Sequence, residues 1–269
     1  MKKLFVLLLS LLLVACGGGA NDEKTIKVSC TAEPHATILE FVKPILAEQG
    51  YDLDIQILDN YFIFNKALDA GDVDANYFQH VPYFEKEVAD YGYDLVNVGG
   101  VHIEPFAFYS KTYTSIDQIN EDSEVVISNS VADHGRLLMI LQNNGLLTLK
   151  DGVNAQEAVI ADIDDSKSIL KQANFKEVNP ELLTMTFNGG DGDLVAINGN
   201  YALSAGLNPL EDSLIIESAG ADNPYVNILA CKKGNENSDK IKALYSVLTS
   251  EDVKNFINET YTGSVIVAE

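Results

Sequence analysis

Strand-like and helix-like segments alternate along this chain, and that alternation limits the fold more than any other feature. "TIKVSCT" (25–31) reads as a strand, and "HATILEFVKPILAEQG" (35–50) carries apolar residues at helical spacing up to a stopping Gly50. "DLDIQILD" (52–59) alternates like a strand, and "IFNKALDAG" (63–71) is a short helix closed by Gly71. "DVDANYF" (72–78) is the next strand end, followed by a helix, "PYFEKEVADYG" (82–92), with Pro82 at its start. Alternation at this spacing predicts βαβ units, an α/β fold and mainly parallel sheets.

A change of register follows. "DLVNVGGVHIEPFAFYS" (94–110) reads as strands leading out of the first set. A second set then begins: the strand "EVVIS" (124–128), a loop, the helix "GRLLMILQNNG" (135–145), the strand "LVAIN" (194–198) and the helix "GNYALSAG" (199–206). After "NPYVNILACKKG" (223–234), two helices, "SDKIKALYSVLTS" and "SEDVKNFINETY", close the chain. Gly71 to Tyr77 and Gly192 to Asn198 echo each other as a Gly-Asp turn, a strand and an Asn. Ligands in open α/β sheets gather at the carboxyl ends of strands, so the two copies point to a shared cleft.

The amino terminus places the chain outside the cytosol. Lys2 and Lys3 precede an apolar run from Leu4 to Val14, of signal-peptide length and too short to span a bilayer. Leu13-Val14-Ala15-Cys16 reads as a lipobox, with residues 1–15 removed, Cys16 acylated and residues 16–24 forming a flexible tether. The whole chain carries a formal charge of −22; losing the two lysines leaves 16 basic against 40 acidic residues. Such a surface repels nucleic acid and anionic lipid. Cys30 and Cys231 both sit in strand-like runs, and a disulfide between them and two buried free thiols are equally open.

Three groups of residues stand out as ligand contacts. Arg136 lies in "SNSVADHGRLLMILQNNG", beside a close-approach Gly135 and in the first turn of an apolar helix. A cation there is unfavourable unless an anion such as a carboxylate shares the helix end. The alternative is a surface arginine paired with Asp133. His80 with Tyr61, Tyr77, Phe78 and Tyr83 reads as a pocket wall, or else as plain packing between two halves. Asn198 and Asn227 interrupt apolar runs, where a buried amide must find backbone or ligand partners. Together these describe a site for a zwitterion. No nucleophile elbow, HExxH or phosphate loop is present, and Ser168 and Lys171 match SxxK without partner motifs, so the chain does not read as an enzyme. The four histidines (His35, His80, His102, His134) form no HxH pair or His-rich loop, so no metal or other cofactor is expected.

Several of these stretches resemble one family. "GDVDANYFQHVPYFE", "YGYDLVNVG", "FYSKTYTSIDQI", "HGRLLMILQNNGL", "AINGNYA" and "NPYVNILA" are similar, in this order, to the NlpA-type methionine-binding lipoproteins, solute receptors of methionine ABC importers. The resemblance covers everything after the tether. It implies a two-lobed, periplasmic-binding-protein-like (type II) fold with a hinge of crossing strands. Residues 25–110 and 226–269 are expected in the first lobe and 111–225 in the second. Tyr61, Phe78, His80 and Tyr83 then correspond to the first-lobe wall, Arg136 to a carboxylate clamp, and Asn198 and Asn227 to amides holding the ligand's polar ends. The implied partners are an amino acid, most simply L-methionine, the importer's permease and ATPase subunits, and the membrane through the lipid anchor. Other readings are a different amino acid or short peptide in the same fold, a metal-binding lipoprotein, or an adhesin. Departures from the family pattern include Val131-Ala132-Asp133 in place of Pro-Thr-Asn, and Glu104 where a neutral residue is usual. Both bring carboxylates near the cleft, favouring a ligand with an extra positive or hydrogen-bonding group.

Overall fold

A computed structural model describes residues 24–218, 220 and 223–268; the expected signal peptide, Cys16 and nearly all of the tether lie outside them. The first sheet contains β1 (Thr25–Cys30), β2 (Asp52–Ile57), β3 (Ala75–His80), β4 (Leu95–Ile103), β10 (Val226–Lys232) and β11 (Ile266–Val267), in the order β11-β4-β10-β3-β1-β2. The second contains β5 (Ala107–Tyr109), β6 (Val125–Ser128), β7 (Phe175–Val178), β8 (Leu194–Ile197) and β9 (Ile215–Ile216), in the order β7-β6-β8-β5-β9. The helices are α1 (Thr37–Glu48), α2 (Tyr61–Ala70), α3 (Val81–Tyr91), α4 (Val131–Asn143), α5 (Leu183–Gly189), α6 (Gly199–Ser204), α7 (Pro209–Asp212), α8 (Asp239–Leu248) and α9 (Glu251–Tyr261).

The sheets are mixed rather than mainly parallel. β1 pairs in parallel with β2 and β3, and β6 with β7 and β8. The crossing strands break that pattern. β10 runs antiparallel between β3 and β4, and β5 lies antiparallel between β8 and β9. The chain passes from the first sheet to the second through Glu104-Pro105-Phe106 and returns between β9 and β10. β5 therefore pairs in the second sheet, although the division at residue 110 assigned it to the first unit.

Each sheet buries its own core. Ile26 and Val28 of β1 and Leu53 of β2 pack with Ile38, Leu39, Val42 and Leu46 of α1 and with Ile241 and Leu244 of α8. Val125 and Ile127 of β6 pack with Leu137, Leu138 and Leu141 of α4. Each such side chain contributes about 1.5–3 kcal/mol on burial. Cys30 and Cys231 are free and buried in this first-sheet core. β3 lies between their strands, which sets the strands about 9–10 Å apart, beyond disulfide reach. Burial pushes the Cys30 thiol up to about 12 and the Cys231 thiol to about 11, so both are poor nucleophiles. Among the described residues no helix is long and apolar enough to cross a membrane.

Candidate functional site

The sequence places three helix starts at strand ends, and these starts build one cavity between the sheets. Asn60 caps α2 by accepting from the Phe62 amide at 2.9 Å, so Tyr61 enters the cavity from the first turn. His80 ends β3 and caps α3: its Nδ1 accepts from the Tyr83 amide at 3.2 Å. That bond puts the ring proton on Nε2, which donates to Asp133 Oδ1 at 3.0 Å. Asn198 ends β8 and leads into α6. The space left in the cavity is about 30 Å³, room for no more than a few waters, so the halves sit nearly closed on it.

All seven ligand contacts named from the sequence line this one cavity: Tyr61, Phe78, His80, Tyr83, Arg136, Asn198 and Asn227. Phe78 stacks on Phe64 with centroids 3.9 Å apart, and Tyr61 and Tyr83 pack beside Phe78 edge-on or tilted, which gives a rigid apolar wall. Tyr77, the fifth aromatic considered, faces the first-sheet core instead. Asn76, the echo partner of Asn198, is also absent from the cavity. It sits inside β3 and is buried in an amide network with Asn65 and Gln79, at 2.9 Å from each.

Two expectations need correction. Arg136 is in the second turn of α4, because the helix begins at Val131, four residues before Gly135. Gly135 lies inside the helix and makes the close approach expected of it: the Gln156 carbonyl packs against it, and an added Cβ would lie 2.2 Å from that oxygen. Arg136 is 4% exposed, so it is not a surface residue, and its partner is not Asp133. Nε and Nη2 donate to Glu217 at 2.9 and 2.5 Å, and Nη2 also donates to the Glu104 carbonyl at 2.7 Å. The guanidinium is further held against the rings of Tyr225 and Phe106, at 4.3 and 5.4 Å. Among the described residues Nη1 has no acceptor, which leaves one edge of the guanidinium for an anion.

The two extra carboxylates lie at the cavity as expected, but internal bonds occupy them. Asp133 accepts from His80 and, at 3.3 Å, from Asn198 Nδ2. Burial raises its carboxyl, but the hydrogen bond from His80, the Arg136 guanidinium and the Asn198 amide outweigh that and hold it below the ordinary range. Glu104 Oε1 accepts from His102 at 2.9 Å. Burial raises the Glu104 carboxyl, partly opposed by His35, Arg136 and His80. Burial also holds His35 down to about 4 and His102 down to about 3, so both rings are neutral at neutral pH.

The Asp133 shift fixes a sign. A carboxyl lower in the folded than the unfolded state stabilises above its unfolded value, and this is lost as pH falls through the folded value. Asp133→Asn should therefore lose most stability at neutral pH, with the deficit shrinking on acidification. Urea unfolding of both proteins at several pH values checks this, and a deficit independent of pH would count against it.

Two buried polar atoms of the cavity residues have no partner: Asn198 Oδ1, an acceptor, and the Tyr83 hydroxyl. An unpaired buried polar group costs about 1–3 kcal/mol, which a ligand donor recovers. Tyr61 donates to Asn200 Oδ1 at 2.5 Å and Tyr201 donates to the Asp59 carbonyl, so the two halves already touch across the cavity mouth.

Residues 26–268 match the family model described as NlpA lipoprotein. The chain belongs to the NlpA lipoprotein family. This is a family of solute-binding lipoproteins, not of enzymes. The chain is 44% identical to the methionine-binding lipoprotein MetQ of Bacillus subtilis, over 99% of this chain and 98% of that protein. The crystal structure of a putative methionine-binding lipoprotein from B. subtilis superposes with a TM-score of 0.88, at 44% identity, covering 92% of this chain and 99% of that one. A nutrient-binding protein from Burkholderia cenocepacia, bound to methionine, superposes with a TM-score of 0.83 at 30% identity, covering 91% of this chain and all of that one. The two-lobed α/β fold expected from the sequence is thus shared with these receptors.

Proposed function

We propose that this lipoprotein captures L-methionine outside the cytosol and delivers it to an ABC importer. The observation that carries the reading is the enclosed cavity with a free guanidinium edge at Arg136, an unpartnered amide oxygen at Asn198 and a stacked aromatic wall. In this reading Arg136 Nη1 holds the ligand carboxylate and Asn198 Oδ1 receives the α-ammonium. Asn227 and His80 complete the polar end, while Tyr61, Phe78 and Tyr83 enclose the side chain. The internal bonds of Asp133 and Glu104 remove the main argument for a cationic or peptide ligand. The likeness to receptors named for methionine supports the choice of amino acid.

Residues 25–104 with 226–268, and 107–216, would move as the two lobes, hinged at the two crossings. Acylation of Cys16 would tether the protein to the membrane, where a permease and its ATPase receive the ligand. About nine non-hydrogen atoms at up to about 1.5 kcal/mol each leave room for nanomolar binding. Isothermal titration with L-methionine, methionine amide and N-acetylmethionine tests the polar contacts. L-methionine should bind at submicromolar Kd, and both blocked forms at least about 30-fold more weakly, as expected for losing about 2 kcal/mol of charge-assisted bonding. Equal binding of the amide would overturn the Arg136 assignment.

A further inference from the structure

The histidines are scattered along the sequence, but folding brings two of them together behind the cavity. His35 lies in a single π-helical turn (Ala32–Ala36) after β1, and His102 is in β4, two residues before Glu104. Their Nε2 atoms converge on one carboxylate oxygen: Glu104 Oε1 is 2.9 Å from His102 Nε2 and 3.5 Å from His35 Nε2. Asn227 Oδ1 is 3.2 Å from His35 Nε2, and the three His and Glu ligand atoms lie within 4.8 Å of one another. Zinc bonds of 2.0–2.2 Å place tetrahedral neighbours about 3.3–3.6 Å apart, a spacing that the two His35 separations approach and that the 2.9 Å His102–Glu104 bond would open to reach.

The outer faces of the rings are also arranged as for metal ligands. Thr31 Oγ1 is 2.7 Å from His35 Nδ1, and Tyr77 Oη is 2.5 Å from His102 Nδ1. A metal-bound imidazole needs its other nitrogen anchored, and a hydroxyl can accept that proton as readily as it donates one. The opposite side of Glu104 is wedged against α6, where a Cβ on Gly199 would lie 2.6 Å from Oε2. Glu104 and Asn227 both line the cavity, so two of the four donors face it.

We propose that His35, His102 and Glu104, with the Asn227 amide oxygen as fourth donor, form a buried site for a divalent zinc-class cation at the hinge. The site shares Asn227 with the proposed amino-acid contacts but uses neither Arg136 nor the aromatic wall, so absence of zinc binding would leave the methionine reading standing. The test uses chelator-treated, ligand-free mature protein titrated with ZnCl₂, with MgCl₂ as the control for the acidic surface. One zinc per chain and a raised Tm are expected, with no comparable response to magnesium. Tyr77→Phe should weaken zinc about 10- to 100-fold by freeing the His102 ring, and His102→Gln should weaken it further. Zinc-edge absorption of the loaded wild-type protein should show two imidazoles, a readout that needs no variant to fold. An all-oxygen shell, or no stoichiometric zinc, would overturn the proposal.

Discussion

Arg136→Ala should reduce methionine affinity roughly 30- to 4,000-fold, the span of about 2–5 kcal/mol for losing one partner of a buried charged contact. The reason lies in where the guanidinium sits. It is 4% exposed, held between two rings, and bonded through Nε and Nη2 to Glu217 and the Glu104 carbonyl. Those bonds aim Nη1 and leave no rotamer to search when the ligand arrives. The same substitution strands Glu217, whose side chain is only 12% exposed, and should cost about 3 kcal/mol of stability. The two effects separate in a paired variant. Arg136→Met with Glu217→Gln removes both charges, so most of the stability should return while binding does not. Titration calorimetry and urea unfolding on the single and double variants measure both quantities. Recovery of binding in the double variant would show that Arg136 acts on the fold and not on the ligand.

Gly135→Ala should be the most damaging single-methyl addition. The new carbon would lie 2.2 Å from the Gln156 carbonyl oxygen, 2.5 Å from its carbon and 2.7 Å from the Ala155 oxygen. All three atoms are backbone, so no rotamer change relieves the clash. α4 and the turn at Ala155–Glu157 must separate, at a cost of about 1–3 kcal/mol or more. In a domain of this size that is a Tm loss of roughly 2–12 °C. Arg136 is the next residue, so methionine binding should weaken in the same variant. A thermal melt with and without ligand checks both, and an unchanged Tm would mean that the turn is free to yield.

How much of this was legible beforehand depended on whether the signal was local. The helix carrying Arg136 was visible from the apolar run after Gly135, but its start was misplaced. The helix runs four residues further, from Val131 to His134, of which Asp133 and His134 are buried, and a glycine that normally breaks a helix is required by a distant carbonyl. The cavity wall was readable because Tyr61 and Tyr83 sit in helix first turns capped by Asn60 and His80, just after strands. The partner of Arg136 was not: Glu217 lies 81 positions away, and nothing in its neighbourhood marks it. Glu104 and Asp133 were noticed as departures from the family pattern, yet which donors they meet could not be read from that. The convergence of His35 and His102 was unreadable because their spacing of 67 residues is meaningless until β1 and β4 join the same sheet.

The order of strands and helices, the division of apolar residues into two cores, and the residue types at the cleft were all set by the amino-acid sequence, since caps, periodicity and turn residues act over a few positions. Pairings across the sheets were decided only by the tertiary structure. Antiparallel insertion of β10, the Arg136–Glu217 pair and the convergence of two imidazoles on Glu104 each join segments far apart in the chain, and a hydrogen bond or ion pair depends on distance in space, which spacing along the chain does not encode.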